Sequence, residues 1–235
     1  MNFRTPLLGL ALTLLASAAF AAEPKPNTLS AADKKAGWKL LFDGQSLNGW
    51  RGYKTEEVGP AWKVQDGAIV LTGAKSGDLM TKEQFGDFEL SFDWKITEAG
   101  NSGIIYRIGL GDAASYRTGP EYQVLDNQKA DDNKKANHLA GSLYDIGPAP
   151  AKDYTKPVGE WNNGKIVVKG WHVEHWLNGH KVADIDLAGP AGKAALQESK
   201  FKAWEKFATL PRGYIALQEH GHVVSYRSIK IRELK

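Results

Sequence analysis

Arg107, Glu121, Gln123 and Asp126 fall within one stretch, residues 101–127, NSGIIYRIGLGDAASYRTGPEYQVLDN. Ile104 to Arg107 is an apolar run ending in a cation, and Glu121 to Asp126 is a strand-like run carrying three polar groups. A loop rich in Gly, Ala, Ser and Asp joins them. Two strands connected this way can hold an Arg, a Glu, a Gln and an Asp over one patch while their other faces feed a core. Fixed donors and acceptors of this kind can satisfy the hydroxyls of a polar, uncharged ligand such as a sugar. The same residues could also do no more than form a structural salt bridge between Arg107 and Glu121. Pro120 holds the start of the second strand extended, and Glu121 shares its face with Gln123. Arg107 is the expected cation that keeps Glu121 ionised. Asp126 is five residues beyond Glu121, on the opposite face of a regular strand, and only a bulge would unite them.

Other residue types capable of chemistry lie further on. In His172–Leu177, Val173, His175 and Leu177 share one face while His172, Glu174 and Trp176 share the other. If Val173 and Leu177 face a core, His175 is a core histidine, and Glu174 with Trp176 faces a ligand. Otherwise His175 is available for proton transfer near neutral pH. Gln218 and His220 fall on one parity at a strand end, and Tyr144, Trp176 and Trp50 could stack on a sugar ring. No nucleotide loop, nucleophile elbow or zinc helix is present, and no motif requires a cofactor. A divalent cation held by Asp126, His138 and Asp145 is compatible with the residue types, but no tight spacing calls for it.

The elements that must position these groups are strands. Phe88, Leu90, Phe92, Trp94 and Ile96 alternate with Glu89, Ser91, Asp93 and Lys95, the pattern of a strand with one buried face. Hairpin signals occur at Asp66-Gly67 and Asn178-Gly179. Gln128–Asn137 reads as a hydrophilic loop without core signal, Ser142–Ile146 as a strand, and residues 190–206 as the one helix. Roughly a dozen short strands with tight turns predict an all-β sandwich of two antiparallel sheets. The first 21 residues carry Arg4, the apolar run Leu7–Leu15 and an Ala-Phe-Ala cleavage site, and so predict a secretory signal peptide. Residues 22–36 then read as a tether and 37–235 as one domain. The 235-residue chain has no cysteine, and export without cysteine fits a bacterial periplasm, or secretion, rather than a disulfide-stapled extracellular module. The net charge of +3 is spread along the chain without basic–aromatic clusters, so nucleic acid is not an expected partner. No membrane association is expected after signal cleavage, and oligomeric state is left open.

A family is recognisable in an ordered series of segments. It runs through Phe42-Asp43-Gly44, Leu47-Asn48-Gly49-Trp50, Asn101-Ser102-Gly103-Ile104-Ile105-Tyr106-Arg107 and Glu121-Tyr122-Gln123-Val124-Leu125-Asp126-Asn127. Gly141-Ser142-Leu143-Tyr144-Asp145, residues 172–179, Ser199-Lys200-Phe201 and Leu217-Gln218-Glu219-His220-Gly221 follow. From about Gly37 to Leu234 the chain resembles the 3-keto-disaccharide hydrolase domain family. The resemblance implies a concanavalin-like jelly roll offering one sheet face to carbohydrate, and cleavage of glycosides oxidised to a ketone at C3. Glu121-x-Gln123-x-x-Asp126 also resembles the E-x-D-x-x-E strand of jelly-roll glucanases, with Gln123 in place of the central acid. That loss argues against an ordinary retaining glycosidase, which needs two tuned carboxyls. Elimination from a 3-keto sugar needs a base, an acid and a group facing the enolate oxygen. The resemblance therefore implies Glu121 or Asp126 as base, Arg107 or a cation at the enolate, and His175 or His220 as acid. Gln123, Tyr144, Glu174, Trp176, Gln218 and His220 would bind the sugar. A non-catalytic carbohydrate-binding module is the alternative, and a structural partner of another envelope protein a third.

Overall fold

The computed structural model describes residues 25–235, so the expected signal peptide lies outside the described residues. In chain order the strands are β1 (Lys39–Leu40), β2 (Trp50–Gly52), β3 (Trp62–Gln65), β4 (Ala68–Leu71), β5 (Leu79–Thr81), β6 (Phe88–Ile96) and β7 (Asn101–Ile108). They continue as β8 (Glu121–Leu125), β9 (Asn162–Lys169), β10 (His172–Leu177), β11 (His180–Asp186), β12 (Tyr214–Leu217) and β13 (Val224–Glu233). All pairings are antiparallel. One sheet runs β11-β10-β9-β6-β13-β4-β3 with β1 joined to β13, and the other runs β2-β5-β12-β7-β8. The expected all-β sandwich is what the chain forms.

β6 shows why. Its alternating residues are buried and half-buried in strict sequence from Phe88 to Ile96, because each apolar side chain enters the space between the sheets. Phe92 meets Tyr122 of β8 edge-on at 5.1 Å, and Phe88 meets Tyr106 of β7 at 6.1 Å. Such T-shaped pairs favour the positive ring edge against the negative ring face and tie the layers together. Full burial of each ring contributes roughly 1.5–3 kcal/mol. The face of the five-stranded sheet turned away from this core carries a second apolar group, Met80, Ile105, Ile108 and Ala216. Ile105 pairs with Glu121, so the same face also carries Glu121 and Gln123.

Two local expectations are corrected, and the question of a bulge in β8 is decided. The helix is shorter than expected and is not alone: α1 (Ala31–Lys35) forms a short capped turn in the segment read as a tether, α2 spans Pro190–Glu198 with Pro190 in its first turn, and a 3-10 turn at Lys200–Ala203 follows. Phe201 and Phe207, stacked at 4.0 Å, pull the chain onto the sheet and end the helix. Ser142–Ile146 is not a regular strand. It lies along β8 through one bridge, Tyr122 to Leu143, and through bonds from Gln123 N to Ser142 O and Tyr144 N to Glu121 O. Finally, the register of β7 with β8 is continuous from Asn101–Leu125 to Ile105–Glu121, so β8 has no bulge. The irregularity is on β7, where Ile105 faces Ala216 but Ile108 faces Tyr214, and Arg107 has φ 52°.

That bulge turns Arg107 out of the expected patch. Its guanidinium donates to Gly86 O, to Gly170 O at 2.6 Å and to Asp87 Oδ1 at 2.8 Å, and it lies over the Trp171 ring. Arg107 therefore joins the end of β7 to the segment before β6 and the β9–β10 turn, and the expected salt bridge to Glu121 does not form. Arg107→Lys should lower stability by about 1–3 kcal/mol, because two carbonyls and the Asp87 carboxylate share a buried guanidinium that one ammonium cannot replace. Thermal denaturation would check this, and turnover per folded molecule should be kept.

Candidate active site

Glu121 lies at the bottom of a cavity of about 280 Å3 on the outer face of the five-stranded sheet. β8 supplies Glu121 and Gln123, β7 supplies Asn101, and Gln218 and His220 follow β12. The segment lying along β8 adds Tyr144, the 3-10 turn after α2 adds Lys200 and Phe201, and another 3-10 turn at Ser115–Arg117 adds Tyr116. Asp132 comes from the hydrophilic loop. Thus five sequence-predicted residues converge, namely Glu121, Gln123, Tyr144, Gln218 and His220.

Among the described residues no cation pairs directly with the Glu121 carboxyl, and burial pushes its pKa up to about 8. Lys200 opposes the shift, Asp78 and Asp132 add to it by like-charge repulsion, and the Gln218 amide opposes it weakly. The side-chain oxygens of Gln123 and Gln218 are buried and accept no hydrogen bond from the described residues, so both can take hydroxyl donors. Asp78 acts on Glu121 from outside the cavity lining, accepting from Ser115 Oγ and from Glu219 N at 2.8 Å. Burial raises its pKa as well.

A polar brace fixes the rim. His138 sits between Asp132 Oδ1 at 2.9 Å and Asp145 Oδ1 at 2.8 Å, and its ring packs on Tyr144 at 4.2 Å. Asp145 also accepts from Lys135 Nζ and from the backbone N–H of Lys200, each near 2.9 Å and 2.8 Å respectively. Burial would raise the Asp145 pKa, but these bonds together lower it to about 2. The brace sets Lys200 so that its Nζ lies 4.3 Å from the Tyr144 ring centroid. Asp126, His138 and Asp145, whose residue types are compatible with a cation, are not brought together: His138 and Asp145 are braced here while Asp126 lies elsewhere.

The remaining expected residues are placed away from the cavity. Asp126 accepts from Ala99 N, Gln128 N and Lys129 N, capping the turns at either side of β7 and β8, and borders a separate cleft with Trp94 and Asn162. Without a bulge in β8 it stays off the face of Glu121. His175 is fully buried between the sheets, bonded to Gly141 O at 3.1 Å and to Tyr106 Oη at 3.0 Å. Donation from Nδ1 to the carbonyl leaves Nε2 to accept from the tyrosine, so the ring is neutral, and burial lowers its pKa to about 4. Glu174 and Trp176 lie on the outer face of the other sheet. Glu174 bonds Lys181 and the Trp176 indole, and Lys165 and Lys181 flank that ring. His172, Glu174 and Asp184 approach one another there, with the Lys181 ammonium between the two carboxylates supplying the positive charge.

Asp132, Lys200, Tyr116 and Asp78 were not expected as site residues. Asp132 lies in a loop whose composition signals only solvation, and Lys200 in a segment read as helix. Their value is set by where the chain folds, although the Ser199-Lys200-Phe201 motif marked one of them.

Known proteins place this geometry in context. A 3-keto-disaccharide hydrolase from Bacteroides thetaiotaomicron is 35% identical to this chain over 229 residues, covering 84% of this chain and 79% of that protein. A solved structure of a glycosyl hydrolase candidate from Parabacteroides distasonis is 31% identical, with a TM-score of 0.83 over 90% of this chain and 100% of that one. A second from the same organism is 28% identical, with a TM-score of 0.68 over 84% of this chain and 99% of its own. The laminarinase catalytic domain from Thermotoga maritima, 11% identical with a TM-score of 0.51 over 85% of this chain and 100% of that one, shares the fold alone. The model of the 3-keto-alpha-glucoside-1,2-lyase-like domain matches residues 37–232, and the chain belongs to that family.

Proposed function

We propose that this chain is an exported enzyme that cleaves 3-keto-glycosides, with Glu121 removing the C2 proton of the oxidised sugar. One observation carries the reading: a buried carboxyl with a pKa near 8 faces a cavity lined with hydrogen-bonding groups. Near neutral pH such a group is a stronger base than an ordinary carboxylate, and a share of it is ionised. The family and the named hydrolase relative support the substrate class, and the Leu7–Leu15 run with its Ala-Phe-Ala site supports export. No helix among the described residues is long and apolar enough to cross a membrane.

The C3 ketone acidifies the neighbouring C2 hydrogen. Glu121 takes that proton, and the electron pair moves into an enolate with its charge on the C3 oxygen. Lys200 at the rim faces that charge. Collapse of the enolate restores the ketone, forms a C1–C2 double bond and breaks the C1–oxygen bond, with His220 giving a proton to the leaving oxygen. Addition of water, oxygen to C1 and hydrogen to C2, completes net hydrolysis. Gln123 and Gln218 hold ring hydroxyls through their unpartnered oxygens. Lys200→Met should lower kcat about tenfold, a modest loss because the ammonium sits at an exposed rim. Lys200→Arg should recover most of it.

Incubation with methyl 3-keto-glucoside and with unoxidised methyl glucoside tests the reading. Release of methanol from the ketone alone is the expected result. Binding of both without turnover of either would leave a carbohydrate-binding module, and no binding at all would leave a structural partner.

A further inference from the structure

The Glu121 cavity is not isolated. A second chamber of about 380 Å3 adjoins it, and the two share Asn101, Asp132, Tyr144 and His220 as a common wall. The far side of the second chamber is formed by Ala99, Asp131 and His222. Small-molecule sites span roughly 300–1,000 Å3, so the Glu121 cavity alone is near the lower limit and has room for about one sugar ring. A disaccharide needs the second space as well.

Resting on the proton-abstraction reading above, we propose that the adjoining chamber is the leaving-group subsite. It takes a hydroxylated ring that is uncharged or bears an amine, and it discriminates against an acidic one. A ring in each chamber puts the glycosidic oxygen at the shared wall, where His220 stands to supply the proton that the leaving oxygen needs. The chemistry of the far side sets the selectivity. Asp131 is exposed and forms no ion pair among the described residues, and Asp132 adds a second carboxylate. Among the described residues no Lys or Arg lines this chamber. Buried His222 Nδ1 has no partner among the described residues, leaving a further polar atom for a sugar hydroxyl. Hydroxyl and ammonium donors therefore meet the free Asp131 carboxylate, whereas a carboxylate meets the like charge of Asp131 and Asp132, with only the imidazoles of His220 and His222 in the lining to offset the two.

The test compares kcat/KM for 3-keto-disaccharides that share the oxidised ring and differ in the leaving ring: glucosyl, glucosaminyl or glucuronyl. The wild type should prefer glucosyl over glucuronyl by about five- to tenfold at low salt. That ratio should shrink in 0.5 M NaCl, because salt screens charges at this exposure. Glucosaminyl should be at least as good as glucosyl. Asp131→Lys should abolish or invert the glucosyl-to-glucuronyl ratio, and the ratio is the readout because it cancels any general loss of activity. Equal wild-type rates for the two rings overturn the proposal, and so does a preference that Asp131→Lys leaves unaltered. Methyl 3-keto-glucoside distinguishes the deeper failure: a wild type inactive on it overturns the proton-abstraction reading and the subsite together.

Discussion

Glu121→Gln should abolish most turnover of a 3-keto-glycoside while raising the melting temperature. The loss should be roughly 10²–10⁴ in kcat, the scale for removing a general base. The gain in stability follows from burial. The pKa of Glu121 is about 8 in the folded protein, against an ordinary glutamate value in the unfolded chain. Between those two values the folded state binds more protons than the unfolded one, so stability is full at low pH and falls as pH rises through 8. The total penalty is on the order of 5 kcal/mol, since each pKa unit between the ordinary value and about 8 corresponds to about 1.4 kcal/mol. Gln has nearly the same shape and no charge to desolvate. After allowing for burial of its amide, about 2 kcal/mol of stabilisation at pH 7.5 is expected, or roughly 4–8 °C in melting temperature. A drop in melting temperature with activity retained in the folded fraction would reduce Glu121 to a structural role.

The same pKa fixes the shape of the activity profile. As a base, Glu121 works only when ionised, so kcat/KM should rise about tenfold per pH unit up to a plateau near pH 8. Stability moves the other way over that range. His175 acts in the opposite sense at lower pH. Its folded pKa of about 4 lies below the ordinary histidine value, so its contribution is present above that value and is lost as pH falls towards 4. The two effects oppose each other from about pH 4.5 to 6.5 and leave a net loss of stability from there to pH 8. Glu121→Gln should flatten the alkaline limb and unmask the His175 limb, so that stability rises more steeply from about pH 4.5 to 6.5.

What could be read from the sequence divides along physical lines. β6 and β10 were legible because alternation over six to nine residues reports which face is buried. The clustering of Glu121, Gln123 and Gln218 followed from parity plus the order of family motifs. Arg107 and Asp126 were misplaced because both inferences depended on bulge position, which a two-residue period does not encode: the extra residue sits in β7 rather than β8. His175 had two readings, and the burial of Val173 and Leu177 decides for the core. The parity argument that offered Glu174 and Trp176 to a ligand was sound about faces but silent about sheets, since β10 belongs to the eight-stranded one. Asp132 and Lys200 reach the cavity through loops, where no periodicity exists to report direction.

Gly103→Ala should lower kcat about 10²-fold while the protein stays folded. Gly103 pairs with Gln123 directly across β7 and β8, and its missing side chain is the space Glu121 occupies. An added Cβ would fall on the Glu121 carboxyl, 2.7 Å from its Cδ and 2.9 Å from its Cγ, well inside van der Waals contact. The backbone at Gly103 is ordinary extended strand, so alanine strains nothing there and should restrict the unfolded chain slightly, a gain of about 0.4–1 kcal/mol. The atoms it strikes belong to the end of a side chain with rotatable bonds, so the carboxyl swings aside rather than the sheet parting. A base displaced by about 1 Å from its proton loses roughly 10²-fold in rate. Displacement also changes the hydration of the carboxyl: if it swings towards solvent its pKa falls, and the rising limb of the pH profile moves below 8. Turnover, the midpoint of that limb and melting temperature on one preparation would decide the matter. A variant with wild-type kcat and an unmoved midpoint would show that the position of Glu121 is not what the reaction depends on.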